Sequence, residues 1–211
     1  MPAIVIANEF IDVFGPDQSI KTDDGWRWRA VVLDAMGRFQ FAPTQTTRLR
    51  PELDALWPGA AQESVFEHLR TGDLASLLKR MAGPQPLAAL FVDYGHTEPA
   101  LGETLQAVRN HAYEHPLCSP GEADLTVQVD FSDVAAEMKK QGFAIDGPVT
   151  QAEFLGRLGI IERASKLMAA NPAKAAGIEA GVMRLMAPNG MGTRYKAIGI
   201  RSPGLPALPG F

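Results

Sequence analysis

The sequence predicts an α/β fold, a helix-flanked sheet with buried parallel strands and an antiparallel β-hairpin insert. Three observations predict it. Short apolar runs at residues 3–7 and 86–92 stop abruptly at Asn8-Glu9 and at Asp93-Tyr94-Gly95-His96, as strands do in the interior of a sheet covered on both faces. Long stretches with helical apolar spacing lie between and after such runs. Residues 26–41 alternate with period two around the turn Asp34-Ala35-Met36-Gly37.

In order, Ile4 to Ala7 is predicted as a strand buried on both faces, leaving through Asn8, Glu9 and Asp12. Gly15-Pro16-Asp17 breaks the chain. Asp23-Asp24-Gly25 is a turn, and residues 26–33 and 38–41 form a hairpin, the core of an insert over about residues 18–43. Trp26 and Trp28 alternating with Arg27 and Arg29 fit a half-buried hairpin face better than a base-stacking surface, because the formal net charge is −4. Pro43 to Ala61 carries breakers and reads as loop, with a helical turn near Pro51. Ser64 to Met81 is predicted as one long helix, with Val65, Leu69, Leu74, Leu77, Leu78 and Met81 inward.

The central strand follows, bounded by Pro86 and Gly95. Polar residues at a strand's carboxyl end face the ligand crevice of such sheets, which makes Asp93 and His96 site candidates. A plain turn would use Asp and Gly there as well. His111 and His115 stand four apart, without an HExxH pattern or helix-like flanks, so no metal site is assigned. Ala123 to Phe131 alternates as a strand, and Ser132 is expected to cap a helix running to Lys140. Residues 143–145 form a short strand, residues 152–170 one amphipathic helix, and Asn171-Pro172 opens another to about Met186. Tyr195 to Ile200 is the last strand, and residues 202–211 form a Pro/Gly-rich tail, disordered or draped.

With 211 residues and 46% hydrophobic content, the chain can bury one large core or two small ones. Cys118 is the single cysteine, which excludes an internal disulfide and a thiolate metal cluster. The motifs G-x-G-x-x-G, G-x-S-x-G and the P-loop do not occur, and no targeting signal is visible.

Four segments in order, IVIANEFID, LFVDYGH, ETLQAVRNHAYEHPLCSPGEADLTVQVDF and GPVTQAEFLGRLGIIER, resemble the MidA-type family of S-adenosylmethionine-dependent methyltransferases. That family includes the mitochondrial complex I assembly factor that dimethylates an arginine, and its bacterial relatives. The resemblance covers about Ile4 to Met186. It implies the carboxyl-terminal half of a Rossmann-like class I methyltransferase sheet over residues 1–201, beginning at what resembles the fourth strand. The half carrying the glycine-rich cofactor loop is absent from the matched segments. After NEF the family has a Phe-Asp-Ala-Leu-Pro-like run, and here Ile11-Asp12-Val13-Phe14-Gly15-Pro16 stands instead.

The resemblance implies S-adenosylmethionine as cofactor in the complete fold, and as partner a protein substrate, an arginine of a respiratory complex subunit. Arginine is a poor nucleophile because its guanidinium stays protonated, and carboxylates can hold it bidentately and localise its charge. Glu9, Asp12, Asp93 and His96 are therefore the expected catalytic set, with His96 taking the released proton. Acids at a helix start offer the plainer reading of Glu9 and Asp12. Asn8 is expected at the cofactor edge, and Arg109, His111 and Glu122 at the substrate rim. A non-catalytic binding module, or one half of a split protein, is the competing expectation. Either would leave the first strand with an open edge and favour self-association. The resemblance implies bacterial cytoplasm, or the mitochondrial matrix in a eukaryote.

Overall fold

The computed structural model describes residues 2–45 and 50–211. In chain order its elements are β1 (Ala3–Asn8), β2 (Pro16–Thr22), β3 (Gly25–Leu33), β4 (Phe39–Pro43), α1 (Pro51–Leu56), β5 (Val65–Leu69), α2 (Thr71–Ala82) and β6 (Leu87–His96). Then come β7 (Gln106–Arg109), β8 (Ala112–Glu114), β9 (Asp124–Thr126), β10 (Val129–Asp130), α3 (Phe131–Lys140), β11 (Ala144–Thr150) and α4 (Gln151–Arg157). The last are α5 (Ile160–Ala170), a 3-10 turn (Pro172–Lys174), α6 (Ala175–Met186) and β12 (Tyr195–Arg201). The chain divides into two compact units.

The first unit comprises Met1–Asp12, Thr71–Glu98 and Val129–Phe211. Its sheet runs β1-β6-β12-β11, with β10 also paired to β6. The sheet is mixed: β1 and β10 lie parallel to β6, whereas β12 runs antiparallel to both β6 and β11. Central β6 buries Leu87, Ala89, Phe91 and Asp93, and its intervening residues are half-buried. Helices α2 and α3 lie against it, bringing Leu74, Leu78, Phe131, Val134 and Met138 out of water. Each such side chain contributes about 2 kcal/mol to stability. Gly95 is required where β10 meets β6, because a Cβ there would lie 2.0 Å from the Val129 carbonyl oxygen.

The expected two-sided burial of the first strand does not hold. β1 alternates half-buried and exposed, with Ile4 82% and Ile6 76% exposed. Among the described strands its one neighbour is β6, and Ile4 and Ile6 border a cavity lined also by Phe154 and Leu158. The predicted helix over residues 152–170 is two helices, separated at Leu158-Gly159, where Gly159 takes φ +79°. Thr150 and Glu153 form a reciprocal capping box that starts the first of them. Asp130, not Ser132, caps α3: its carboxylate accepts from the amides of Ser132 at 2.9 Å and Asp133 at 3.2 Å. The tail is draped. Phe211 packs on Phe154 at 5.1 Å, and the Leu208 amide donates to Asp146.

The second unit comprises Val13–Arg70 and Pro99–Gln128. A four-stranded antiparallel sheet, β4-β3-β2-β5, contains the predicted hairpin as β3 and β4. A second sheet, β8-β7-β9, is also antiparallel. Buried Trp26, Leu53 and Phe66 form its core. Gly15-Pro16-Asp17 leads straight into β2, which the sequence reading missed. The predicted helix from Ser64 starts instead as β5, paired to β2, and turns helical at Thr71. Residues 123–131 form β9 and β10 in place of one strand, and these belong to different sheets. Part of the predicted loop from Pro43 to Ala61, residues 46–49, lies outside the described residues.

Candidate functional site

The parallel pairing of β1 with β6 brings their carboxyl ends together in the first unit. The Glu9 amide still donates to the Val92 carbonyl, at 2.9 Å, and Glu9 then takes φ +49° and turns the chain away. Over the next three residues the backbone folds onto Asp93. One carboxylate oxygen of Asp93 accepts from the amides of Phe10 at 3.0 Å, Ile11 at 2.8 Å and Asp12 at 3.2 Å. The other accepts from Tyr94 at 2.9 Å. The side chains complete the anchorage: Ile11 is buried, and Phe10 lies against Phe91 with ring centroids 6.3 Å apart.

Asp93 is fully buried and belongs to the strand itself, which continues to His96, so its carboxylate faces main-chain amides. Burial pushes its carboxyl up to about 6, the neighbouring Asp12 charge adds to the rise, and the amides pull the other way. Asp12 is also buried, and its carboxylate accepts from the Tyr94 hydroxyl. Tyr94 meets Tyr195 edge to face at 5.6 Å, with the two residues directly opposite in the β6–β12 register. Burial raises the Tyr195 hydroxyl, with the negative charges of Glu9 and Asp93 adding to it. Glu9 and Asn8 are exposed, and the Asn8 amide donates to Glu9 Oε1 at 3.0 Å.

His96 ends β6 with Nδ1 2.5 Å from the Glu98 carbonyl and 4.0 Å from Asp130. Asn8, Glu9, Asp12, Asp93 and His96 thus all belong to the β1 and β6 ends. Arg109, His111 and Glu122 belong to the second unit. There Arg109 and Glu122 form an ion pair, and His111 occupies the β7–β8 turn at φ +63°. His111 and His115 do not share a helix. Among the described residues no group of three or more His, Cys, Asp or Glu could hold a metal ion. Sequence reasoning missed Tyr94 and Tyr195. Tyr94 stands inside the quoted DYGH run, whereas nothing in the sequence ties it to Tyr195, about a hundred residues on.

A family described as putative S-adenosyl-L-methionine-dependent methyltransferase matches residues 1–149. This chain belongs to that family. Among curated relatives, it is 31% identical to the Drosophila melanogaster homologue of protein arginine methyltransferase NDUFAF7, a mitochondrial protein, over 207 residues, covering 92% of this chain and 46% of the fly protein. It is 32% identical to the Mus musculus mitochondrial protein arginine methyltransferase NDUFAF7 over 199 residues, covering 92% of this chain and 44% of the mouse protein. The chain therefore spans less than half the length of these relatives. Two solved structures from Burkholderia thailandensis share the fold. One, an uncharacterised protein, superposes with a TM-score of 0.83 at 24% identity, covering all of this chain and 57% of that one. The other, a likely methyl transferase bound to S-adenosyl-homocysteine, gives 0.82 at 23%, covering all of this chain and 56% of its own. The sheet is thus the Rossmann-like methyltransferase fold, and the family's cofactor is S-adenosylmethionine.

The residues present fit one side of such a cofactor. Glu9 and Asp12, with the Tyr94 and Tyr195 rings, suit a cationic centre or a cationic substrate. A glycine-rich turn to cradle the methionine and ribose parts follows none of the described strands.

Proposed function

We propose that this chain carries the methyl-accepting side of an S-adenosylmethionine-dependent protein-arginine methyltransferase acting on a respiratory complex I subunit. The observation that carries this reading is the convergence of the Glu9 and Asp12 carboxylates with the Tyr94–Tyr195 pair at the β1 and β6 ends. Bound S-adenosylmethionine supplies an activated methyl group on a sulfonium.

The chain's own groups orient and deprotonate the acceptor. Glu9, exposed at the rim, and Asp12, oriented by the Tyr94 hydroxyl, hold the guanidinium, drawing its charge from the attacking nitrogen. The tyrosine rings favour a flat cation over a neutral side chain. Asp93 is a positioning residue: it grips the backbone that presents Asp12 and touches no substrate. With its Nδ1 hydrogen donated to the Glu98 carbonyl, His96 keeps the Nε2 lone pair to take the released proton. Asn8 borders the cofactor, and Arg109, His111 and Glu122 contribute to substrate recognition. The setting is the mitochondrial matrix in a eukaryote, or bacterial cytoplasm.

Titration with an arginine peptide and its citrulline counterpart tests this reading. The arginine peptide should bind at least tenfold tighter, and Asp12→Asn and Glu9→Gln should each erase the preference. Equal binding of the two peptides refutes the guanidinium site. A second reading, a non-catalytic binding module, draws support from the chain's coverage of 44–46% of its relatives. Isothermal titration with S-adenosylmethionine separates the two. Micromolar binding by this chain alone supports catalysis in its own right, and no binding supports the module.

A further inference from the structure

Three residues at the β1 and β6 ends close a hydrogen-bonded ring. The Asp12 amide donates to Asp93 Oδ2 at 3.2 Å, the Tyr94 amide donates to Asp93 Oδ1 at 2.9 Å, and the Tyr94 hydroxyl donates back to Asp12 Oδ2. Both carboxyl groups of the ring are buried, Asp12 at 4% exposure and Asp93 at 0%. The two oxygens of Asp93 differ. Among the described residues Oδ2 accepts from three amides, whereas Oδ1 accepts from one and keeps a lone pair that can carry a proton. Two neighbouring carboxylates shielded from water oppose each other's ionisation. The charges around the ring leave that opposition in place. Glu9, on the same exit, is negative as well. On β12, Lys196 stands opposite Asp93 in the register but directs its ammonium to the carbonyls of Gly95, at 3.1 Å, and Thr193. Tyr195 meets Tyr94, and Arg194 before it is exposed. On β10, Asp130 accepts from the amides of Ser132 and Asp133 and lies 4.0 Å from His96 Nδ1. Helices α2 and α3 bring the apolar Leu74, Leu78, Val134 and Met138.

We propose that Asp12 and Asp93 act as one acid pair, in which a guanidinium clasped by Asp12 drives the proton off Asp93 into solvent. This rests on the guanidinium reading of the site and adds its regulation: acid loosens the hold on the acceptor arginine. In the empty site burial and the Asp12 charge push the Asp93 carboxyl up to about 6, so Asp93 keeps its proton in mild acid. A guanidinium at Asp12 cancels the charge that opposes ionisation of Asp93. The Asp93 O–H bond then breaks, its electron pair stays on the carboxylate, and the proton passes to water. The sign follows from linkage: binding that expels a proton strengthens as pH rises through the Asp93 midpoint, and the gain is complete above about pH 7. A fall of one unit in that midpoint on binding makes the gain about tenfold. Asp93 thereby registers occupancy of the site through the ring, without touching the ligand.

The test is isothermal titration of the full chain with an arginine peptide, its ends blocked and its other side chains non-titrating, in buffers of different ionisation enthalpy. At about pH 5.5 binding should release about half a proton, and at about pH 7.5 almost none, with affinity about tenfold higher at pH 7.5 than in acid. Asp93→Asn should abolish the release. Because that variant can fail to fold, the carbon-13 resonance of the Asp93 carboxyl is followed in the wild type as well. Its midpoint should fall by about one unit in the saturated complex, and the citrulline counterpart should leave it in place. An Asp93 midpoint that the arginine peptide does not move overturns the proposal, as does proton release that persists in Asp93→Asn. A peptide preferred over its citrulline counterpart yet bound without proton release overturns this inference alone and leaves the guanidinium site standing. Equal binding of the two peptides overturns both.

Discussion

Asp93→Asn isolates the buried charge that organises the β1 exit. Burial, with the Asp12 charge beside it, pushes its carboxyl up to about 6 in the folded protein, from an ordinary 3.8. That rise corresponds to about 3 kcal/mol. The native state keeps a proton that the unfolded chain releases between about pH 4 and pH 6. The associated stability is therefore complete below about pH 4 and lost as pH rises through 6. Asparagine cannot titrate, so the stability difference between wild type and variant should shift by about 3 kcal/mol in the variant's favour from pH 4 to pH 7. Urea unfolding measures this. With m of about 2–3 kcal/mol per molar, the relative midpoints should move by about 1 M. Amide exchange at Phe10, Ile11 and Asp12 reports the same change locally, because these donors bond to Asp93. Parallel movement of the two midpoints across this range would refute the reasoning.

Gly95→Ala should cost 3 kcal/mol or more in thermal unfolding, since its Cβ would overlap the Val129 carbonyl oxygen at 2.0 Å and nitrogen at 2.7 Å. Gly72→Ala, in α2 with nothing within 4 Å, should be neutral or stabilise by up to about 1 kcal/mol, and equal losses at both glycines would contradict the packing account. Asp146→Ala should cost about 2–3 kcal/mol, because it removes the counter-charge of Arg201 and the acceptor of the Leu208 amide, both of which donate to it at 2.9–3.2 Å. Burial opposes ionisation of Asp146, but the Arg201 guanidinium prevails and holds its carboxyl below the usual range. Wild-type stability from this pair is thus present at neutral pH and fades as acid protonates the carboxylate, an effect the variant should lack in pH-dependent melts.

The strands β1, β6 and β12 were legible because short apolar runs bounded by Gly, Pro and charge leave few other options. Their pairing partners were less so. β12 runs antiparallel to β6, and that pairing sets Tyr195 beside Tyr94, a relation that no local pattern encodes. Ser64 to Met81 was misread because Val65 and Leu69 have helical spacing as well as strand burial. Tertiary contacts decided the matter: Glu67 is held in β5 by the Thr104 amide at 2.9 Å and the Leu105 amide at 3.1 Å. Ser132 looked like a cap, but Asp130, two residues earlier, is better fixed by its strand pairing to His96. Glu9, Asp12 and Asp93 were legible as polar residues at strand ends. That Asp93 grips backbone and not ligand was not legible, since it depends on burial. The exposed isoleucines of β1 escaped for a related reason: an apolar run names what prefers burial, not what neighbour supplies it.

The grip of Asp93 engages main-chain amides alone, and every residue type except proline offers one. The main-chain part of this anchorage is therefore independent of the side chains at positions 10 to 12, whereas Ile11 and Phe10 add their own packing. The same grip delivers Asp12 to the Tyr94 hydroxyl. The exit of β1 is thus written on one strand's end and held in shape by another.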